Sequence, residues 1–180
     1  MFDKFKKKNK VFEVKKINEN KNNNYPTDLG CLSYEYLKWI KRLQIENGNN
    51  HDHAYLYLLL YFACRTKTII SGKTLNRFDD NFIKYYLPTP KECQKYIVRD
   101  KLDFIDKIDN VQIYILLLEQ DEEVIKFVCK WYGCLPIDIL IKKYHDDKLF
   151  RITEDGKYLP IDNPLLIEDE EKEKVLRLIY

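Results

Sequence analysis

No stretch of this sequence is long and apolar enough to cross a bilayer. The longest run, Ala54 to Cys64 ("AYLYLLLYFAC"), spans eleven residues, against the roughly 20 a membrane helix needs. A run of that length suits a helix buried in a protein core. The N-terminal residues "MFDKFKKKNKVFEVKK" supply lysines without the apolar segment that gives a signal peptide its character, so no export is expected. The five cysteines, Cys31, Cys64, Cys93, Cys129 and Cys134, form an odd set. Such a set cannot pair completely, and reduced thiols in a cytoplasmic protein are the expectation. A phosphate-binding loop is also missing. "SGKT" at Ser71 to Thr74 has the end of one, but the upstream glycine is replaced by Lys67.

What is present is enough for one globular domain. The chain has 180 residues, 45 % hydrophobic and 14 % aromatic, and can close a core without metal or disulfide. The net charge of +2 is unevenly placed: residues 1–24 carry eight lysines against three acids, residues 25–150 balance, and residues 151–180 carry five bases against eight acids. The first 27 residues, rich in lysine and asparagine, read as a basic, partly disordered leader, and residues 28–180 as the folded domain. Phosphate contacts by the leader are the one route to nucleic acid that the charge pattern offers.

Helical spacing dominates the rest. Leu29, Leu32, Tyr36, Ile40 and Leu43 fall three and four apart and share one face. "NGNN" ends that helix, Asp52 caps the next, and "AYLYLLLYFAC", apolar nearly all round, is predicted to lie at the centre of the fold. Thr68, Ile69 and Ile70 suggest a short extended piece before the "SGK" turn, Phe78 to Tyr86 a short helix stopped by "LPTP", and the residues after Pro90 a helix to about Ile108. "VQIYILLL" suits a buried strand and a helix equally. Asp121 is predicted to cap a helix ending at Gly133, with Val124, Val128, Trp131 and Tyr132 facing the core and Gly133 in the left-handed C′ position. Pro136 starts the next helix, whose Ile137, Leu140, Ile141 and Tyr144 follow the i, i+3, i+4, i+7 pattern. Asp155 and Gly156 in "ITEDGKYLP" signal a hairpin, and a last helix begins near Glu168. The expected fold is mainly α: a single compact helical domain with one small β-hairpin near the C-terminus.

The chemistry-bearing residues concentrate in "KWYGCLPIDILIKKYHDDKLF", residues 130 to 150. Cys129 and Cys134 lie five apart, whereas structural zinc knuckles space paired cysteines by two to four residues. His145, with His51 and His53 of "HDH", would have to complete any site from distant segments, and no metal or cofactor is expected. A Cys and His pair could in principle act as a nucleophile and base, but free cysteine is more often a small buried hydrophobe. The acid pairs in "FDD" and "YHDD" sit beside helix ends, where aspartate commonly caps.

The same stretch carries a family pattern. A helix running into Tyr132-Gly133, then Leu135, Leu140, His145 and Phe150, resembles the Panacea domain, also called the SocA-like antitoxin domain. "LLLYFACRTKTIISGKTLNRFDDNFIKYYLPTP" is similar to that family's other hallmark, a leucine-rich helix with a Tyr-Phe-Ala core followed by Gly-Lys, Phe-Asp-Asp and a tyrosine before proline. The resemblance covers roughly residues 33–155. This chain departs from it in having Tyr86-Leu87-Pro88 where the family has Tyr-Gly-Pro, Ile139 where it has an acid, and Phe150 where it has tryptophan. Leucine resists backbone conformations that glycine permits, so the turn at Leu87 should be remodelled.

The resemblance implies a binding protein and not an enzyme: an antitoxin that neutralises a toxin by direct contact, of the kind encoded on phages and other mobile elements. A retargeted version would be an anti-defence protein, such as an anti-CRISPR, that binds a defence effector. A nucleic-acid-binding regulator that uses the leader is the alternative from another class. Scaffold roles fall on Leu58, Leu59, Tyr61, Phe62, Tyr132, Gly133, Leu140 and Phe150. Lys84, Tyr85 and Tyr86, just before the altered turn, are the interaction candidates together with His145, whose other reading is a satisfied structural histidine. The fourteen tyrosines fit either an interface, where tyrosine is enriched, or half-buried helix faces.

Overall fold

A computed structural model describes residues 32–50, 52–75, 82–93 and 119–179. The leader, Leu29, "FDD", the helix expected beyond Cys93 and "VQIYILLL" lie outside the described residues. The elements are α1 (Leu32–Glu46), α2 (His53–Ser71), β1 (Phe82–Lys84), β2 (Pro88–Pro90), α3 (Glu119–Trp131), α4 (Ile137–Asp146), α5 (Lys148–Ile152) and α6 (Asp169–Ile179), with 3₁₀ turns at Lys91–Cys93 and Pro164–Leu166. The described residues are mainly helical, with one two-stranded antiparallel hairpin among them.

Helix α2 is the axis of the fold. Every residue from Tyr55 to Ile69 is buried, and α1, α3, α4, α6 and β2 pack around it. An apolar surface on all sides leaves no other placement. Its end is set by Gly72, whose φ of +72° lets the N–H turn back to the Thr68 carbonyl at 2.8 Å. Thr68, Ile69 and Ile70 are therefore helical, not extended. Thr68 Oγ1 donates to the Cys64 carbonyl at 3.0 Å, which satisfies the hydroxyl inside the helix. Around this axis Tyr36 and Ile40 of α1 and Leu140 and Tyr144 of α4 are fully buried, as their spacing implies, and Leu37, outside that spacing, is buried with them.

Helix α3 differs from expectation at both ends. It begins at Glu119, so Asp121 lies in its first turn instead of capping it. The Asp121 side chain is buried and pairs with Lys67 of α2 at 2.9 Å. The buried stripe is Asp121, Val124, Ile125, Val128 and Cys129, which centres the core-facing side away from Trp131. Trp131 is thus left on the flank, 44 % exposed.

The hairpin lies at residues 82–90 and not at "ITEDGKYLP". Phe82 to Lys84, expected in a helix, is instead a strand with a backbone partner on each side, β2 and an isolated bridge. Ile83 pairs with Thr89 on one side and bridges Tyr158 on the other. The backbone of Phe82 and Lys84 faces the second side, accepting from the N–H groups of Leu159 and Gly156 and donating to the Lys157 carbonyl, each at 2.8 Å. Opposite them in β2 stand Pro90 and Pro88, which have no N–H to place. The Asp155-Gly156 turn exists, with Gly156 at φ +77°, but it joins α5 to the bridge strand. Asp147 Oδ1 accepts from the Leu149 N–H at 2.8 Å and caps α5, so the residues before the turn coil instead of pairing.

Candidate interaction surface

The bend between β1 and β2, residues 85–87, is docked on the C-terminal end of α4. The buried Tyr144 hydroxyl donates to the Tyr85 carbonyl at 3.4 Å, and His145 Nε2 stands 3.0 Å from the Tyr86 carbonyl. A carbonyl oxygen only accepts, so Nε2 carries the proton in this contact. The imidazole lies between two rings, edge-on to Tyr86 at 5.2 Å and stacked on Phe150 at 4.4 Å. Lys84 completes the group: its ammonium sits 4.2 Å over the Phe150 ring, donates to the Thr153 carbonyl at 2.6 Å and pairs with Asp155 at 3.1 Å.

Lys84, Tyr85, Tyr86 and His145, separated by up to about 60 residues of chain, thus meet at one place. Their exposures differ. Lys84 is buried and holds the strand to the end of α5, whereas Tyr85 and Tyr86 are 40 % and 69 % exposed. Tyr158 in the bridge strand, beside Lys91, adds a third exposed tyrosine to the same small sheet. Leu87, partly buried, packs against the core and anchors the bend from within.

The scaffold candidates lie behind this surface. Leu58, Leu59, Tyr61 and Leu140 are fully buried. Phe62 stacks on Tyr132 at 4.9 Å, Tyr61 meets Tyr144 edge-on at 5.0 Å, and Phe150 meets Tyr144 at 4.9 Å. Gly133 is buried but is not among the positive-φ glycines, which among the described residues are Gly48, Gly72 and Gly156. The left-handed C′ role is therefore corrected. Glycine is needed there for space, because a Cβ would overlap the Gln44 side chain of α1 and the Cys129 carbonyl.

Of the charged residues that matter most inside, Asp147 was read from the sequence as an acid beside a helix end, which its cap on α5 bears out, but its partner Arg65 was not singled out. Arg65 and Asp147 form a buried pair at 3.3 Å. The Asp147 carboxylate also accepts the Tyr61 hydroxyl at 2.8 Å, while Arg65 reaches the Leu166 carbonyl at 3.3 Å. Lys67 pairs with Asp121 and touches Gln120. A signal existed: Arg65 and Lys67 continue a helix that is apolar on all sides, and buried cations require carboxylates. Gln44, which donates to the carbonyls of Asn50 at 2.8 Å and Gly133 at 3.1 Å, gave no such sign.

The thiols and histidines take separate places. Cys129 is in the core, where burial pushes its thiol up to about 12, and Cys134 is on the surface. His53 lies edge-on to Tyr57 at 6.3 Å, and His51 is outside the described residues. Among the described residues, no three His, Cys, Asp or Glu side chains are grouped to hold a metal. The buried tyrosines shift the same way as Cys129. The Tyr61 hydroxyl is raised by burial and then by the Asp147 carboxylate, and Tyr144 by burial and then by the same carboxylate.

A group that holds its proton more tightly when folded contributes stability that is complete below its unfolded pKa and lost as pH rises through its folded value. Cys129, with an ordinary value near 9, should therefore support the fold fully up to that pH and progressively less toward 12. The expected result is a melting temperature that changes little from pH 7 to 9 and falls above it, measured by calorimetry. A flat profile to pH 11 would contradict the burial of these groups.

Comparison with protein-family models, curated proteins and solved structures finds no match for this chain. The functional reading therefore rests on the residues themselves.

Proposed function

We propose that this chain is a non-enzymatic protein inhibitor, antitoxin-like, that neutralises a partner protein by direct binding. The observation that carries the reading is the bend at Tyr85 and Tyr86, which presents two exposed aromatic rings from a backbone fixed by His145 and Tyr144. Tyrosine gives large, amphipathic contact area at small entropic cost, and a bend already held in place loses little freedom when a partner docks. The resemblance to the Panacea domain supplies the class of partner, a toxin encoded beside it on a phage or other mobile element. The core position of Leu87 supports a second version. If the family's bend is rebuilt around leucine, the surface it presents is different, which suits a defence effector as the target of an anti-defence protein.

The test is co-expression with the neighbouring gene. The expected outcome is rescued growth and a stoichiometric complex, with Tyr86→Ala weakening that complex at least about tenfold, as truncation of an interface anchor does, while the melting temperature is unchanged. Neither rescue nor a complex would remove the antitoxin reading. A complex with a purified CRISPR effector in place of the neighbour would assign the second version.

A further inference from the structure

The corner between α3 and α4, reached from the last turn of α4 by Lys143, gathers a different set of residues. Trp131 is 44 % exposed at the end of α3, with the Lys130 ammonium 5.5 Å from its ring and Phe127 beside it at 6.4 Å. Tyr132 follows, one face stacked on Phe62 and the Lys143 ammonium 5.9 Å from its ring. Lys142, next to Lys143, is exposed on the same helix. Lys130, Lys142 and Lys143 have no carboxylate within ion-pair distance among the described residues. The exposed acids of α4, Asp138 and Asp146, lie one turn to either side of Lys142, and neither is within ion-pair distance of these lysines.

We propose that this corner is a contact site for single-stranded nucleic acid, with Trp131 as the ring on which a base stacks and Lys130, Lys142 and Lys143 as phosphate contacts. An accessible indole among cations that lack counter-ions is the combination by which single strands are bound without sequence preference. A protein partner fits less well, because lysine is depleted in the cores of protein interfaces. The inference is independent of the antitoxin reading, since it uses none of Lys84, Tyr85, Tyr86 or His145. It is also separable from the basic leader, which is identical in every variant below.

The experiment is a titration of the full-length protein with labelled oligo(dT) at several salt concentrations, read by anisotropy and by tryptophan quenching. Wild type is expected to bind with quenching, and Trp131→Ala to bind about tenfold more weakly with the quenching lost, within the range that one stacked base supplies. Trp131→Phe keeps a stacking face and should retain most of the affinity. Lys130→Ala/Lys143→Ala should lower the slope of log affinity against log salt by about one per lysine. Absence of binding, or binding unaltered by Trp131→Ala and by the lysine changes, overturns the proposal, the latter by assigning the contact to the leader. Binding of duplex DNA as tight as that of the single strand overturns the stacking role. If oligo(dT) does not bind and Trp131→Ala weakens the protein complex instead, the corner belongs to a protein interface and the proposal is wrong.

Discussion

Asp147→Ala is expected to destabilise the protein by about 3–5 kcal/mol, the cost of removing one partner from a buried ion pair. The Arg65 and Asp147 side chains are only 3 % and 7 % exposed, so the guanidinium left behind has little access to water. Two further losses coincide at this one residue: the Tyr61 hydroxyl of α2 loses its acceptor, and α5 loses the cap on the Leu149 N–H. Chemical denaturation would show the midpoint falling at similar slope. Asp147→Asn keeps a side-chain oxygen for the cap and should cost less. Arg65→Met/Asp147→Asn, which strands no charge, should be more stable than Asp147→Ala alone. If Asp147→Ala unfolds at the wild-type midpoint, the carboxylate is not the buried hub described here.

The longer helices were legible because they are written in local spacing, whereas the five-residue α5 was not. Tyr36 and Ile40, Val124 and Val128, Leu140 and Tyr144 fall on buried faces at the offsets a 3.6-residue period requires. Pro136 marks a boundary by its own backbone preference, whereas the end of α2 at Gly72 was not read, Thr68 to Ile70 being expected extended. The sheet was not legible. Phe82 to Lys84 is three residues long, and its partners come from Pro88 to Pro90 and from the strand after Gly156, more than 70 residues away. No local pattern encodes that second pairing. The turn at Gly156 was readable, but not which strand it feeds. The candidate surface shows the same division. Tyr85 and Tyr86 stood out by their place before an altered turn and His145 by the family pattern, but their meeting depends on the docking of the bend on α4. The buried ion pairs were missed because the central helix was expected to give way to an extended piece at Thr68, whereas α2 runs on to Ser71 and carries Arg65 and Lys67 inside with it.

Gly133→Val is expected to cost about 3 kcal/mol, within the usual range for overpacking a filled site together with the loss of buried hydrogen bonds. The chain runs on from α3 without a left-handed step, the Gly133 N–H donating to the Cys129 carbonyl at 3.1 Å, and the end of α1 lies directly against it. A new side chain must displace Gln44, whose amide donates to the carbonyls of Asn50 and Gly133 and so holds the α1 end to the α3–α4 corner. Asparagine separates this account from a C′ role. A left-handed position tolerates Asn better than Ala, whereas a crowded one penalises Asn at least as much, because the added Cβ is the obstacle. Thermal melts of Gly133→Ala and Gly133→Asn should both fall, and Gln44→Ala should partly rescue Gly133→Ala in the double variant, since two residues in contact do not act additively. The rescue stays partial because the Cys129 carbonyl, a backbone atom four residues upstream, cannot withdraw. Full stability of Gly133→Asn would instead place this glycine with Gly72 and Gly156, where the backbone angle and not the space makes the requirement.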